Sequence, residues 1–400
     1  MNVLVLNCGS SSAKFAVVEV TTGREQVSGI AQRLGTEAAT LDWRTPQGRE
    51  ARAVPGADHA RALRAAVELL RDLGLADGLG GVGHRVVHGG ARFSGSLAID
   101  GEVLSRIEAC IPLGPLHNPP NLAGIRIAQE LLPGLPQVAV FDTAFHQTMP
   151  RKAWLYPVPY EWWEEHDVRR YGFHGTSHRF VARRAVEDLG LDPRDHALVT
   201  AHLGNGCSLA AVRNGASVDT TMGLTPLEGV VMGTRSGSVD PAIVGHVARA
   251  RGCSAEAVLD VLNKGSGLLG ISGVSNDMRT LQQAADAGHE RAALAIEVFC
   301  YALAKSAASL VVALGRLDAL VFTGGIGENS ALVRAQVVRQ LGFLGLTLDP
   351  ALNMAHGRGH AGRITRERRP QAAVVPTNEE LMIALDTAEI VARRDERSAA

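Results

Sequence analysis

Two glycine-centred loops, each entered and left by apolar strands, constrain this chain more than any other feature. In residues 3–18, VLVLNCGSSSAKFAVV, a β-branched apolar run enters a small polar loop and a second run leaves it after Lys14. That pattern reads as strand, tight turn and returning strand. Gly9 permits close backbone approach, Ser10, Ser11 and Ser12 offer hydroxyls, and Lys14 adds a point charge. Such a loop either holds an anion, for instance a nucleotide phosphate, or simply turns the chain. Residues 197–212, ALVTAHLGNGCSLAAV, repeat the grammar. Placing Gly9 on Gly204 aligns Asn7 with His202, Ser12 with Cys207 and Val17 with Val212. The repeat predicts two copies of one domain facing a cleft. A third cluster, TGGIGEN at 323–329, follows an apolar run and precedes a helical pattern, a natural seat for a nucleotide.

Length and composition agree with a duplicated architecture. The 400 residues are 46% hydrophobic, enough for two sizeable cores. The net charge of −1 argues against nucleic acid or a membrane surface as the main partner. Cys8, Cys110, Cys207, Cys253 and Cys300 are scattered without a C-x-x-C pair, which fits a reducing cytoplasm better than disulfides or zinc. Met1 leads into a strand with no basic segment before it, so no signal peptide is expected. No uninterrupted apolar stretch reaches the roughly 18 residues of a membrane span, and the expectation is a soluble, cytoplasmic, enzyme-sized protein.

Helical spacing predicts helices over 59–73, 122–132, from 179 onward, and over 241–251, 255–262, 292–314 and 378–391, with a frayed tail at 393–400. Residues 83–90 read as a strand carrying Arg85 between two histidines, and 112–120 as a proline-rich loop. Residues 138–141 read as a buried strand ending at Asp142, where open α/β sheets place ligand groups. The Trp- and Pro-rich segment 150–170 reads as a connection. The expected division is 1–149 plus 381–400 for the first domain and 150–380 for the second. Strands alternating with helices give an α/β class. Two G-x-G-x-x-G matches, at 78–83 and 265–270, lack the strand–loop–helix context of a Rossmann site, and no Walker motif occurs.

Several residues stand out chemically. Arg85 inside a strand either pairs with a surface acid or grips a substrate; Arg235 sits between glycines that clear space around it. Two arginines can hold carboxylate and phosphoryl oxygens bidentately, as lysine cannot. Asp142 reads equally as a catalytic carboxylate or a strand-end cap. His174, at a glycine turn, is a candidate for stabilising developing charge. His178 and His146 read as structural, as do His84 and His88, which share one face if both lie in the strand. A zinc site on His174 and His178 lacks a third ligand nearby. Thr377 to Glu380 forms a T-x-x-E capping box, leaving Glu379 free to meet Asn7 around a magnesium ion.

At this point the motifs resemble the acetate kinase (acetokinase) family, within the superfamily that includes sugar kinases, heat-shock chaperones and actin. The resemblance runs over nearly the whole chain: NCGSSS at 7–12, residues 83–90, PLHNP at 115–119, FDTAFHQTMP at 141–150, 174–178, 202–206, 222–237, 323–329 and 376–380. It implies a duplicated actin-like ATPase fold with its active site in the interdomain cleft. The implied reaction is reversible in-line transfer of the ATP γ-phosphoryl group to acetate, with Mg²⁺ (or Mn²⁺) and a homodimer. Carried over by residue, Asn7 and Glu379 are the metal-site residues. Lys14, with Ser10 and Ser12, contacts ATP. Arg85 and Arg235 hold acetate and the moving phosphoryl group, Asp142 is the essential carboxylate, and His174 stabilises the transition state. His202, Leu203, Gly204, Asn205 and Gly206 underlie the phosphates. Asp277, Met278 and Arg279, with Gly325, Ile326, Gly327, Glu328 and Asn329, form the adenosine pocket. Val87, Leu116, Phe173 and Pro226 line the methyl pocket, and His117 is an active-site histidine of open role. Departures are Ala91-Arg92 for Glu-Lys, Ser238 for Asp, and Cys207 for Gly. Ser238 removes a charge near Arg235 and leaves the position of that arginine in question. A propionate or butyrate kinase of the same superfamily is the nearest alternative, and a non-catalytic nucleotide-dependent binding protein the alternative from another class.

Overall fold

The computed structural model describes residues 1–357 and 359–399. It divides into two compact units, Met1–Phe145 with Asn378–Ala400, and His146–Thr377. The first boundary falls four residues before the one expected. His146 belongs to the second unit because both its ring nitrogens are bonded there, to Ser217 Oγ at 2.8 Å and the Phe173 carbonyl at 3.0 Å. The second boundary leaves Glu379, which ion-pairs with Arg85, in the first unit.

The first unit holds an eight-stranded sheet: β1 (Asn2–Cys8), β2 (Ser12–Glu19), β3 (Arg24–Gln32), β4 (Thr40–Thr45), β5 (Gly48–Ala53), β6 (Leu79–Val86), β7 (Leu97–Ala98) and β8 (Gln137–Phe141). Their order is β5-β4-β3-β2-β1-β6-β8-β7. β1 pairs antiparallel with β2, but parallel with β6, which in turn runs parallel to β8. β1 is apolar from Val3 to Leu6 because both its faces are covered there. Leu4 and Leu6 pack in a core with residues of the helices His59–Asp72 and Asn118–Leu131, while Val3 and Val5 meet Ile383 and Ala384 of the terminal helix Glu379–Ala399. The predicted frayed tail is therefore helical through Ala399.

The second unit repeats this core. Its strands are β9 (Ala197–Leu203), β10 (Cys207–Arg213), β11 (Ala216–Thr220), β12 (Ala319–Thr323), β13 (Gly362–Arg363) and β14 (Gln371–Val374), in the order β11-β10-β9-β12-β14-β13. β9 again pairs antiparallel with its hairpin partner and parallel with the strand on its other side. The repeat is real, but its ungapped alignment slips on the return strand. Cys8 pairs with Ala13 across residues 9–12, whereas Leu203 pairs with Cys207 across 204–206. Lys14, opposite Asn7, thus corresponds to Ser208, opposite His202.

Other differences are local. The helix expected from residue 179 begins at Gly175, and the proline-rich loop ends where the Asn118–Leu131 helix starts. The strand carrying Arg85 stops at Val86, so His88 lies beyond it and shares no strand face with His84. The capping box is displaced by one: Leu381 N–H donates to Asn378 Oδ1 at 2.8 Å, while the Thr377 hydroxyl bonds to Ser177 Oγ at 2.7 Å. Glu290–Leu314 is long and apolar enough, by length and composition, to cross a membrane. It packs one face on β9 and β10, burying Phe299, Leu303, Ala307 and Leu310 at helical spacing, as a core helix does.

Candidate active site

In the first unit the chemistry gathers at the C-terminal ends of parallel strands. β6 and β8 lie side by side, with Arg85 on one and Asp142 just past the other. Arg85 Nε donates to both Asp142 oxygens at 3.0 and 3.1 Å, and Nη2 donates to Oδ2 at 2.6 Å. Asp142 is 1% exposed. Arg85 and Asp142 thus form a bidentate internal ion pair. Burial works against the Arg85 charge, but Asp142 and Glu379 outweigh it and raise its pKa.

Asn7, Lys14, Arg85 and Glu379 line one cavity of about 700 Å³, which continues over the sheet face past Ser28 and Asp42. Glu379 lies 3.8 Å from Arg85 Nε, and its buried Oε2 accepts no hydrogen bond among the described residues. Burial raises its pKa, with Arg85 opposing and Asp142 reinforcing. A buried carboxylate oxygen without a donor, lining the same cavity as the Asn7 amide, suits a small divalent cation completed by waters. No cluster of three or more His, Cys, Asp or Glu among the described residues offers a fuller metal site.

The loop after β1 is fixed from several sides. Gly9 N–H donates to the Ser12 carbonyl at 2.8 Å, and His59 Nε2 lies 2.6 Å from the Gly9 carbonyl. Asn121 donates to the Cys8 carbonyl at 2.7 Å and accepts from Val87 N–H at 3.0 Å, tying the ends of β1 and β6 together. Asn118 holds His88 by its N–H and carbonyl. These asparagines escaped the sequence reading, although N-P-P-N at a helix start hinted at them. Ser10, Leu116 and His117 are exposed, and Val87 is half-buried.

In the second unit His174 precedes its helix in a left-handed conformation, φ 57°, uncommon for a non-glycine residue and frequent at functional sites. Its Nδ1 bonds to Ser208 Oγ at 2.9 Å, and its ring stacks on that of His202 at 4.3 Å. Ser208 Oγ also meets His178 Nε2 at 2.8 Å, and His178 Nδ1 meets Thr200 Oγ1, so His178 is fully engaged and unfit as a metal ligand. A β-carbon on Gly206 would lie 3.4 Å from His174 Nε2 and 3.5 Å from Arg235 Nη1. The phosphate-type loop thus adjoins both.

Arg235 donates through Nη1 to the Pro226 carbonyl at 2.9 Å. It makes no ion pair with a carboxylate among the described residues, and burial lowers its pKa. Ser238 accepts from Gly229 N–H at 3.1 Å and donates its own N–H to the Gly229 carbonyl at 2.9 Å, closing the 229–238 loop that carries Arg235 itself. Cys207 is buried, with its thiol bonded to the Gly204 carbonyl.

A second cavity, about 750 Å³, is lined by Gly204, Asn205, Asp277, Met278, Arg279, Gly325, Ile326 and Asn329. Gly324 (φ +76°), the residue before the lining Gly325, leaves no room for a side chain, since a β-carbon there would sit 2.8 Å from the Leu203 carbonyl. Glu328 turns inward instead, accepting from Gly324 N–H at 2.9 Å and Thr377 N–H at 3.2 Å. Neither it nor Gly327 lines the cavity. The fully buried Arg334 donates to the carbonyls of Gly327 and Glu328 and fixes this turn, a role nothing in its sequence surroundings signals.

A family model described as the acetokinase family matches residues 2–385. The chain belongs to that family. It is 53% identical to acetate kinase of Chromobacterium violaceum, covering 97% of this chain and 98% of that protein. It is 54% identical to acetate kinase of Deinococcus radiodurans, covering 98% of each. Among solved structures, acetate kinase of Porphyromonas gingivalis superposes with a TM-score of 0.93 at 44% identity, covering 98% of this chain and 99% of that one. A propionate kinase of Francisella tularensis gives 0.93 at 43%, covering 97% and 99%. The fold is thus the duplicated actin-like α/β fold, and the chain is a kinase using ATP and ADP.

Proposed function

We propose that the protein transfers the γ-phosphoryl group of ATP reversibly to acetate, giving acetyl phosphate and ADP. The observation that carries the reading is Arg235: a half-buried guanidinium beside His174 and the Gly206 loop, held by a carbonyl and paired with no carboxylate among the described residues. A charge kept that way suits a transient anion.

In the forward direction an acetate oxygen attacks the γ-phosphorus in line while the bond to the β-phosphate oxygen breaks. Little covalent chemistry falls to the protein; positioning and charge neutralisation dominate. Arg235 and His174 stabilise charge on the transferring group, and the 204–206 loop receives the phosphates. Asp142 orients Arg85 toward the carboxylate substrate, and Lys14 contacts ATP. Asn7 and Glu379 would hold Mg²⁺, which neutralises phosphate charge when bound. The cavity lined by residues 277–279 with Gly325, Ile326 and Asn329 takes the adenosine. By family resemblance, Val87, Leu116, Phe173 and Pro226 are the residues that contact the methyl group, and His117 is a further active-site histidine. Family resemblance further supports a homodimer, to be checked by sedimentation. Free thiols at all five cysteines support a reducing cytoplasm.

The test is a hydroxamate trap with ATP, Mg²⁺ and acetate, propionate or butyrate. Acetate should give the highest kcat/KM. One methylene discriminates by only about 1–3 kcal/mol, so equal values for propionate would move the assignment to a short-chain acyl kinase. Failure to form any hydroxamate would leave a nucleotide-binding protein without transfer activity.

A further inference from the structure

The segment 150–170, expected to be a mere connection, sends two side chains into the loop that carries Pro226. Arg170 Nη1 donates to three successive carbonyls, Thr220 at 3.1 Å, Thr221 at 2.9 Å and Met222 at 3.1 Å. Its Nη2 donates to Glu228 Oε1 at 2.6 Å. The other Glu228 oxygen accepts from the Tyr156 hydroxyl, which itself accepts from Leu224 N–H at 2.9 Å. The backbone continues the clamp, since Tyr171 and Gly172 N–H both donate to the Gly223 carbonyl, at 3.0 and 3.2 Å. Any β-carbon on Gly223 would collide with Glu228 Oε2 and the Tyr156 hydroxyl, so the pair fits only over a glycine.

We infer that Arg170, with Glu228 and Tyr156, is a positioning device for Arg235. It pins both ends of the 220–228 loop, whose Pro226 carbonyl meets Arg235 Nη1. Arg170 also stands four residues before His174, so one guanidinium sets the segments carrying both charge-stabilising groups. A lone stability role would not need four acceptors spread over this loop. Arginine suits the task because its planar fork donates in several fixed directions, which lysine does not. The inference rests on the phosphoryl-transfer reading above.

Three variants test it: Tyr156→Phe, Arg170→Lys and Arg170→Gln. Misplacement of a reacting group by about 1 Å costs on the order of 10²-fold. Arg170→Gln should lower kcat by that order, Arg170→Lys should recover part of it, and Tyr156→Phe should lose roughly tenfold. The ATP KM should stay within about twofold, because the adenosine cavity is built from other residues. A second readout needs no activity. Phenylglyoxal labelling of Arg235, followed by mass spectrometry with exposed Arg44 as the internal reference, should accelerate in each variant. Should Arg170→Gln fail to fold, Tyr156→Phe, which loses a single oxygen, decides alone. Wild-type kcat together with wild-type Arg235 labelling in folded Tyr156→Phe would overturn the inference. Wild-type protein forming no hydroxamate would instead sink the kinase reading, while the labelling still decides whether the clamp holds Arg235.

Discussion

Arg85 and Arg235 look alike in the sequence and should part company on stability. Replace each by methionine, which retains most of the aliphatic stem. Arg85 is the internal partner of Asp142, whose side chain is 2% exposed. Removing one member of such a pair strands the other charge, and costs about 3–5 kcal/mol. Arg85 itself is 22% exposed, and solvent reaching Asp142 through the gap places the expected loss near the lower end, about 3 kcal/mol. Among the described residues Arg235 makes no ion pair and, besides a 3.6 Å contact with Met232 Sδ, offers one hydrogen bond to a carbonyl. A neutral replacement gives up about 1 kcal/mol for that bond and recovers the desolvation that lowers the arginine's pKa. The expected change is near zero, with either sign. Activity should fall in both, and for Arg235→Met by about 10³–10⁵, the range for an arginine acting on a transferring phosphoryl group. Urea unfolding followed by circular dichroism, with hydroxamate formation on the same preparations, reads both quantities. If Arg235→Met destabilises as much as Arg85→Met, the idea of a guanidinium held in reserve for a substrate anion is wrong.

Three further perturbations follow from the geometry. Gly206→Ala places a methyl group in van der Waals reach of His174 and Arg235, so it should raise the ATP KM and lower kcat with the melting temperature unchanged; unaltered kinetics would show that no phosphate passes there. Glu379→Gln keeps the shape but removes the charge, and should shift the Mg²⁺ concentration for half-maximal activity upward at least tenfold, as titration at fixed ATP would reveal. Burial lowers the pKa of His84, against a hydrogen bond to Gln137, and that of His88, each to about 4. Between pH 6.5 and 4 the unfolded chain binds protons that the folded first unit refuses, so stability is complete above 6.5 and drains as pH falls toward 4. Each histidine contributes a slope of up to about 1.4 kcal/mol per pH unit. Urea midpoints that stay flat from pH 7 to 5 would contradict this.

The parts of the fold that were legible are those dictated by local pattern. β1, β9 and β12 are largely apolar runs leading into glycine loops, and a strand covered on both faces has little choice but to read that way. Hairpin register was less accessible, because one extra residue in the 9–12 loop moves the return strand by a position without disturbing its apolar pattern. The capping error has a similar origin. Thr377 and Asn378 are both good N-caps, and the choice fell to Asn378 once Ser177, 200 residues distant, engaged the Thr377 hydroxyl. Helix Met278–Asp286 went unplaced, although it opens on a capping aspartate bonded to Thr280 N–H, whereas Ala331–Gln340 is the helical pattern expected after 323–329.

The candidate site divides along the same line. Sequence picks out the cations, since an arginine in a strand or between glycines violates burial preference and so draws notice. It does not reveal what each cation faces, because that depends on strand order. Arg85 meets Asp142 across 57 residues only because β6 and β8 are parallel neighbours, which puts both residues at the same end of the sheet. Among the described residues Arg235 faces no acid, and Glu228, seven residues before it, is consumed by Arg170. Had Glu228 been left unpaired, a guanidinium a few residues along the same loop would be the obvious partner for it. The braced acid is therefore part of why Arg235 keeps its charge uncommitted, and the pairing of one arginine decides the availability of another.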